Sequence, residues 1–266
     1  MQKYSYLLAI VFLVLIASCQ KVIDVDLNSA DPKIVIEANF NATDSIVNVK
    51  VSYTANYFGT SSPTTVDNAI VTITDGNGIN STIPSSGNGL YSLSNYAPTT
   101  GMTYTISVSH DGQTYTATSF LSPKLDMLAP RSEFFDVGFF DPEGGYLVFF
   151  KFQDPIGQGN YYNVIFKAND TLYNKAEELI LGDDDLTDGN LIERPIFQDY
   201  YDVGDTISFE LQAINKNVYD YYSELQTIAG GQSSAAPANP TYYWSNKALG
   251  YFSAYYYTKN GIKIVE

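Results

Sequence analysis

Residues 46–53 alternate cleanly: Val47, Val49, Val51 and Tyr53 fall on one side, Asn48, Lys50 and Ser52 on the other. A period of two over such a run predicts a strand with one face buried. The same reading gives Ile34–Ala38, Ala69–Thr74, short runs at Ile79–Ile83 and Leu90–Leu93, Thr103–Ser109 with Tyr104, Ile106 and Val108 inward, and Thr114–Ser119 with Tyr115 and Ala117 inward. Turn chemistry separates them: a loop from Tyr57 to Pro63, Asp75-Gly76-Asn77-Gly78, Pro84-Ser85-Ser86-Gly87-Asn88-Gly89, and an Asp111-Gly112 pair between two alternating runs, which is a hairpin signal. Short strands at this spacing predict an immunoglobulin-like β-sandwich over residues 34–122.

Ser122-Pro123 to Pro130 reads as a junction into a second, mainly-β region, residues 123–266. Strands are expected at Phe134–Phe140 and Tyr146–Phe152, joined by the turn Asp141-Pro142-Glu143-Gly144-Gly145, then at Tyr161–Lys167, Thr206–Ala213 and near Ile262–Val265. One helix is expected at Lys216–Ala229. Asn215 is its N-cap, Val218, Tyr222, Leu225 and Ile228 or Ala229 form its apolar face, and Gly230-Gly231 end it. Gln232–Pro240 is a Gly/Ser/Ala/Pro loop, followed by an aromatic segment from Tyr242 to Tyr257. The expected class is mainly β: an N-terminal sandwich followed by a second mainly-β region with one α-helix.

Ahead of this lies a leader. Lys3 precedes the apolar run Leu7–Ile16, which is shorter than the roughly 20 residues a membrane span needs, and small residues follow. That pattern describes a secretory signal. Ile16-Ala17-Ser18-Cys19 resembles the bacterial lipobox, and the resemblance implies that residues 1–18 are removed and that Cys19 is acylated. An ordinary signal peptide with a chance cysteine, or an uncleaved anchor, are the other readings. Cys19 is the sole cysteine, and a lone thiol in an exported chain calls for an explanation. One acyl chain binds a membrane only marginally; the three chains implied by the lipobox make the anchor permanent. Residues 19–33 then serve as anchor and linker. Gln20, where an inner-membrane lipoprotein often has Asp, points to the outer membrane. Gln20-Lys21 with Asp24 and Asp26 resembles the surface-export signal of Bacteroidota lipoproteins.

Charge narrows the partners. The formal charge is −15, and losing Lys3 with the leader makes it −16. Such a surface argues against nucleic acid and against anionic lipid headgroups. No cysteine is left for a disulfide, so stability rests on packing; Tyr at 23 and Phe at 15 supply much of it.

Catalytic chemistry is sparse. His110 is the sole histidine and lies at the expected hairpin tip, where it reads as a solvated turn residue. There is no Gly-x-Ser-x-Gly elbow and no phosphate loop, and zinc sites built from His and Cys cannot form. A glycosidase carboxylate pair is allowed by the 29 acids, but nothing selects one. Asp183-Asp184-Asp185-Leu186-Thr187-Asp188-Gly189-Asn190 is the densest acidic run. Aligned on Gly189 as the EF-hand glycine, Asp184 and Asp188 fit, but Leu186 and Pro195 stand where oxygen ligands belong. A looser calcium loop and a solvated acidic loop remain the two readings, and no metal or cofactor is assigned. Tyr242, Tyr243 and Trp244 are the candidate ligand-binding residues, as a stacking platform for a glycan or peptide; packing in a core is the alternative.

Two resemblances add to this. Asn68-Ala69-Ile70-Val71-Thr72-Ile73, Gly89-Leu90-Tyr91 and Gly101-Met102-Thr103-Tyr104-Thr105-Ile106 resemble the transthyretin-like or carboxypeptidase-regulatory-like sandwich. Across the mature chain, Cys19–Leu27, Pro32–Glu37, Asp154-Pro155, Asn160-Tyr161-Tyr162, Gly204-Asp205 and Ala248–Ala254 resemble the Bacteroidota outer-membrane lipoproteins grouped as domain of unknown function 4249. That resemblance implies an outer-membrane location and a TonB-dependent receptor as partner, and brings no catalytic residues. The expectation is a non-enzymatic, lipid-anchored accessory of a TonB-dependent uptake system. The alternative is a structural or adhesive surface lipoprotein.

Overall fold

In the computed structural model the alternating run at residues 46–53 is a central strand of the first sheet. Residues 31–55, 63–136, 144–230 and 240–266 are described, and Pro32–Glu266 is one compact unit. The first eight strands are β1 (Ile34–Asn41), β2 (Ile46–Tyr53), β3 (Ile70–Thr74), β4 (Asn80–Ile83), β5 (Ser85–Gly87), β6 (Leu90–Ser94), β7 (Thr103–His110) and β8 (Gln113–Phe120). Strands β4-β3-β7-β8 form one antiparallel sheet, and β1-β2-β6-β5 form most of the facing one. Their inward rows, including Ile36, Phe40, Val47, Val49, Val51, Ile73, Ile106 and Val108, make a shared apolar core. Two tyrosines sit fully inside it because their hydroxyls find partners: Tyr91 donates to the Val66 carbonyl at 2.9 Å, and Tyr104 accepts from the Thr99 N–H at 2.7 Å. The Asp111-Gly112 hairpin forms as expected, both residues at positive φ.

The second part holds β9 (Met127–Phe135), β10 (Gly145–Gln153), β11 (Tyr161–Ala168), β12 (Thr171–Tyr173), β13 (Ile180–Asp183), β14 (Leu191–Pro195), β15 (Thr206–Ile214), helix α1 (Lys216–Ala229), β16 (Leu249–Tyr255) and β17 (Tyr257–Lys263). The sheet β14-β10-β9 faces the sheet β12-β11-β15-β17, with β13 also on β11. Phe150, Phe152, Val164, Phe166, Ile207 and Phe209 fill the space between. Among the described residues the structure is thus mainly β with one α-helix. Strand β9 begins inside the expected junction. Of the expected strand 134–140, residues 137–140 lie outside the described residues, as do residues 141–143 of its turn. Strands β12, β13 and β14 are additional, and the last strand starts at Tyr257, ahead of the expected Ile262. These are short or half-exposed and carry little alternation; pairing to longer neighbours holds them.

The expected boundary between residues 34–122 and 123–266 is crossed. Strand β16 pairs in parallel with β1, from Val35↔Leu249 to Asn41↔Tyr255, and so completes the first sheet. Trp244, Ala248, Phe252 and Ala254 pack into the first core. Gly250 permits this approach: its φ is +102°, and a Cβ there would collide with the Ile36 carbonyl. Strand β17 then leaves to pair with β15 in the second part.

Helix α1 has the expected bounds and a different cap. The Asn215 side chain donates to Ser119 Oγ instead of capping, while its backbone carbonyl accepts from Val218 and Tyr219 at 3.0 Å. Ser119 Oγ also accepts the Ala254 N–H at 2.8 Å, so one hydroxyl links β8, β16 and the helix start. Val218 and Tyr221 are the buried helix residues; Tyr222 and Leu225 are only half-buried, because they overhang a cavity.

Candidate functional site

The cavity lies where the two parts meet, beneath α1, and measures about 340 Å³. Its walls follow from strand register. On β1, Ile36, Ala38 and Phe40 point into the core, so Glu37 and Asn39 point out. On β16 the same phase turns Tyr251, Ser253 and Tyr255 outward, with Tyr251 opposite Glu37 and Ser253 opposite Asn39. From the second part, β11 and β15 contribute Asn163 and Gln212, which are register partners. Tyr222 and Leu225 come down from the helix, and the segment from Asn174 to Leu179 closes one side.

Polar groups here are ordered by one another. Lys259 Nζ sits 3.3 Å from Glu210 Oε2. Glu210 Oε1 accepts from Gln212 Nε2 at 2.8 Å, and Gln212 Oε1 accepts from Asn163 Nδ2 at 3.1 Å. This relay starts at a carboxylate, which can only accept, and so fixes both amide orientations. Asn163 Oδ1 is left without a hydrogen-bond partner in a residue 2% exposed. Ser253 Oγ, on the outward face of β16, is likewise buried and unpartnered. Asn39 Nδ2 donates to the Tyr251 hydroxyl at 3.2 Å, and the Tyr222 hydroxyl bonds Tyr251 as well. Tyr222 and Tyr251 meet edge-to-face at 5.1 Å, and Tyr221 packs on Tyr251 at 5.4 Å. Burial pushes the phenols of Tyr222, Tyr251 and Tyr255 above their ordinary range, with the Glu37 charge adding to the effect at Tyr222 and Tyr251. Glu37 faces Lys50 across the β1–β2 register but makes no ion pair with it. No lysine or arginine lines the cavity among the described residues.

A second cluster involves the acidic run. Asp184 and Asp188 come together with Asp154, which the sequence did not join to them; one ligand atom from each lies within 4.8 Å of the others. Every carboxylate is held by protein donors. Asp184 accepts from the Gly159 N–H at 2.9 Å and Asn160 Nδ2 at 3.0 Å, Asp188 from the Gly157 N–H at 2.7 Å, and Asp154 from the Gly189 N–H at 2.8 Å and the Tyr162 hydroxyl. Burial raises the Asp154 pKa, and repulsion from Asp184 and Asp188 adds to it. For Asp184 burial also opposes ionisation, but the Gly159 and Asn160 bonds outweigh it and the net shift is downward. Three clustered carboxylates are the donor set a hard divalent cation uses.

The residues singled out from sequence are dispersed. Cys19 lies outside the described residues. Trp244 is 3% exposed in the first core and offers no face to solvent, while Tyr243 packs edge-on to Tyr221 at 6.4 Å. Tyr242 stays exposed, and its hydroxyl accepts from Lys33 Nζ at 2.6 Å. His110 is less solvated than a hairpin tip implies: its side chain is 9% exposed, with Nε2 3.2 Å from Asp111 Oδ2. The cavity residues were not singled out. Their signal was faint: Asn163 and Gln212 are amides inside the otherwise apolar runs Tyr162–Phe166 and Leu211–Ile214.

A family model described as a domain of unknown function, DUF4249, matches residues 20–260. No curated protein matches. Among solved structures, a segment of two fibronectin type III domains from chicken tenascin is similar at 12% identity, covering 88% of this chain and 99% of its own, with a TM-score of 0.26. A likeness at that score carries no argument about this chain.

Proposed function

Starting from a chain that belongs to the DUF4249 family, we propose a lipid-anchored outer-membrane binding protein that captures or presents a small molecule beside a TonB-dependent transporter. The observation that carries the reading is the cavity beneath α1. It has ligand-sized volume, tyrosine walls and a lining carboxylate, Glu37, that no lysine or arginine of the lining faces. Anchoring rests on the Ile16-Ala17-Ser18-Cys19 signal. Among the described residues no helix is long and apolar enough to cross a membrane, so in this reading the lipid on Cys19 does the tethering. The Bacteroidota-type lipoprotein signal and family resemblance favour the outer membrane, and the scarcity of nucleophiles and bases favours binding over catalysis.

The test is a tagged pull-down of the native lipoprotein from membranes in mild detergent, with mass spectrometry of the co-purifying proteins and of the Cys19 peptide. Near-stoichiometric recovery of a TonB-dependent receptor, with acylated Cys19, supports the reading. Recovery of the lipoprotein alone would refute the transport part and favour adhesion.

A further inference from the structure

We propose that the cavity beneath α1 takes a small organic cation, a ligand carrying a primary or secondary ammonium group. The inference rests on the reading of this cavity as a binding site and names its ligand class. Three features agree on that class.

The first is charge. Glu37 is the sole charged side chain lining the cavity among the described residues. It lies beside tyrosine rings rather than a basic partner, and Lys50, its cross-strand neighbour on β2, is exposed and makes no ion pair with it. Glu210, behind the cavity, is engaged by Lys259 and Gln212. An anionic ligand would meet a carboxylate with no compensating cation, and the chain as a whole carries −15.

The second is hydrogen-bonding sense. The relay from Glu210 through Gln212 spends the Asn163 amide donor inside the fold, and its leftover carbonyl oxygen is sealed from the cavity. The Glu37 carboxylate is an acceptor and no donor, and an ammonium, with several donors and no acceptor, suits it.

The third is the aromatic wall. Tyr222, Tyr251 and Tyr255 line the cavity from two elements. Ring faces attract a cation within about 6 Å of their centroids, most strongly where water is excluded. A neutral polyol would use the rings, but leave the unpaired carboxylate with nothing that needs its charge.

The experiment uses the soluble chain from Gln20 onward and three matched probes: phenethylamine, phenylacetate and methyl glucoside. Ligand-observed NMR ranks them and calorimetry measures the affinity. Phenethylamine is expected to bind at least about tenfold more tightly than either other probe. Glu37→Gln, which keeps size and hydrogen bonding, is expected to weaken it by about tenfold with the melting temperature unchanged. Equal or better binding of methyl glucoside or phenylacetate would overturn the cation assignment while leaving a capture role standing. Amine binding indifferent to Glu37→Gln, or no binding by any probe, would also overturn it; the capture reading is then judged by the pull-down alone.

Discussion

Raising the pH should unfold this protein in a steep step, because burial disfavours the ionised form of several phenols in the fold. Burial pushes Tyr96 and Tyr201 up to about 12, and lifts Tyr221, Tyr222, Tyr251 and Tyr255 above the ordinary value as well. Carboxylates nearby, Asp75 at Tyr96 and Glu37 at Tyr221 and Tyr222, add to it. The folded pKa is raised, so the unfolded chain ionises first, near pH 10. Stability is therefore whole below about pH 10 and drains as the pH climbs toward the folded values. Each such tyrosine removes up to about 1.4 kcal/mol per pH unit in that window. Six acting together remove up to about 8 kcal/mol per unit, less what solvent screens at the half-buried rings. A domain's whole margin is about 5–15 kcal/mol, so unfolding is expected at roughly pH 11–12. The assay is phenolate absorbance followed alongside far-ultraviolet circular dichroism. Exposed tyrosines should ionise around pH 10 with the dichroism intact; the rest should appear in a second, sharp step as the dichroism collapses. A single smooth titration of all tyrosines near pH 10, with the fold intact beyond about pH 12, would refute the reasoning.

Three substitutions probe the joints of the fold. Gly250→Ala places a side chain at positive φ against the backbone of β1 and should cost about 3 kcal/mol or more by urea denaturation; a loss under about 1 kcal/mol would mean that β16 can lift off β1 freely. Ser119→Ala leaves the Ala254 N–H and the Asn215 amide without their shared acceptor and should cost about 1–3 kcal/mol, a result that no change in melting temperature would contradict. Asp184 has a depressed pKa, so the stability it contributes is present above about pH 4 and is lost as the pH falls through its lower native value; Asp184→Asn should destabilise at neutral pH and flatten the loss below pH 4, whereas an unchanged acid limb would show that other carboxylates control it.

The sequence carried the sandwich because its strands are half-buried. Val47, Val49 and Val51 alternate with Asn48 and Lys50, and the register in the structure is the one that alternation demands. The bounds of the helix were equally legible, but its face was not: Tyr221 is buried beside Val218, while Ile228 and Ala229, expected on the apolar face, are exposed. The extent of the sandwich was not legible either. Tyr251 to Tyr255 is aromatic on both faces, so nothing local says that one face belongs to a sheet begun more than two hundred residues earlier. The cavity was illegible for the same reason, since Glu37, Asn163 and Tyr251 lie on three strands whose meeting is a tertiary fact. In the acidic run, Asp184 and Asp188 were visible as neighbours, while Asp154 was just another aspartate. Trp244 looked like a binding residue because a tryptophan in an aromatic, loop-flanked segment reads the same whether it faces solvent or fills a core.

The closure of the first sheet by β16 also sets the order in which this chain can mature. Asn39 and Tyr251, neighbours across that seam, are 212 residues apart. A chain that emerges N-terminus first must hold β1 with one edge unpaired until nearly its last strand appears. Long-range pairing of this kind is slow to form, and an open edge is a place where other strands can add. Until residues 249–255 arrive, the N-terminal part has an open strand edge and is exposed to mispairing. Their arrival shields that edge and completes the cavity walls in the same event, so protection of the edge and formation of the cavity come at one moment.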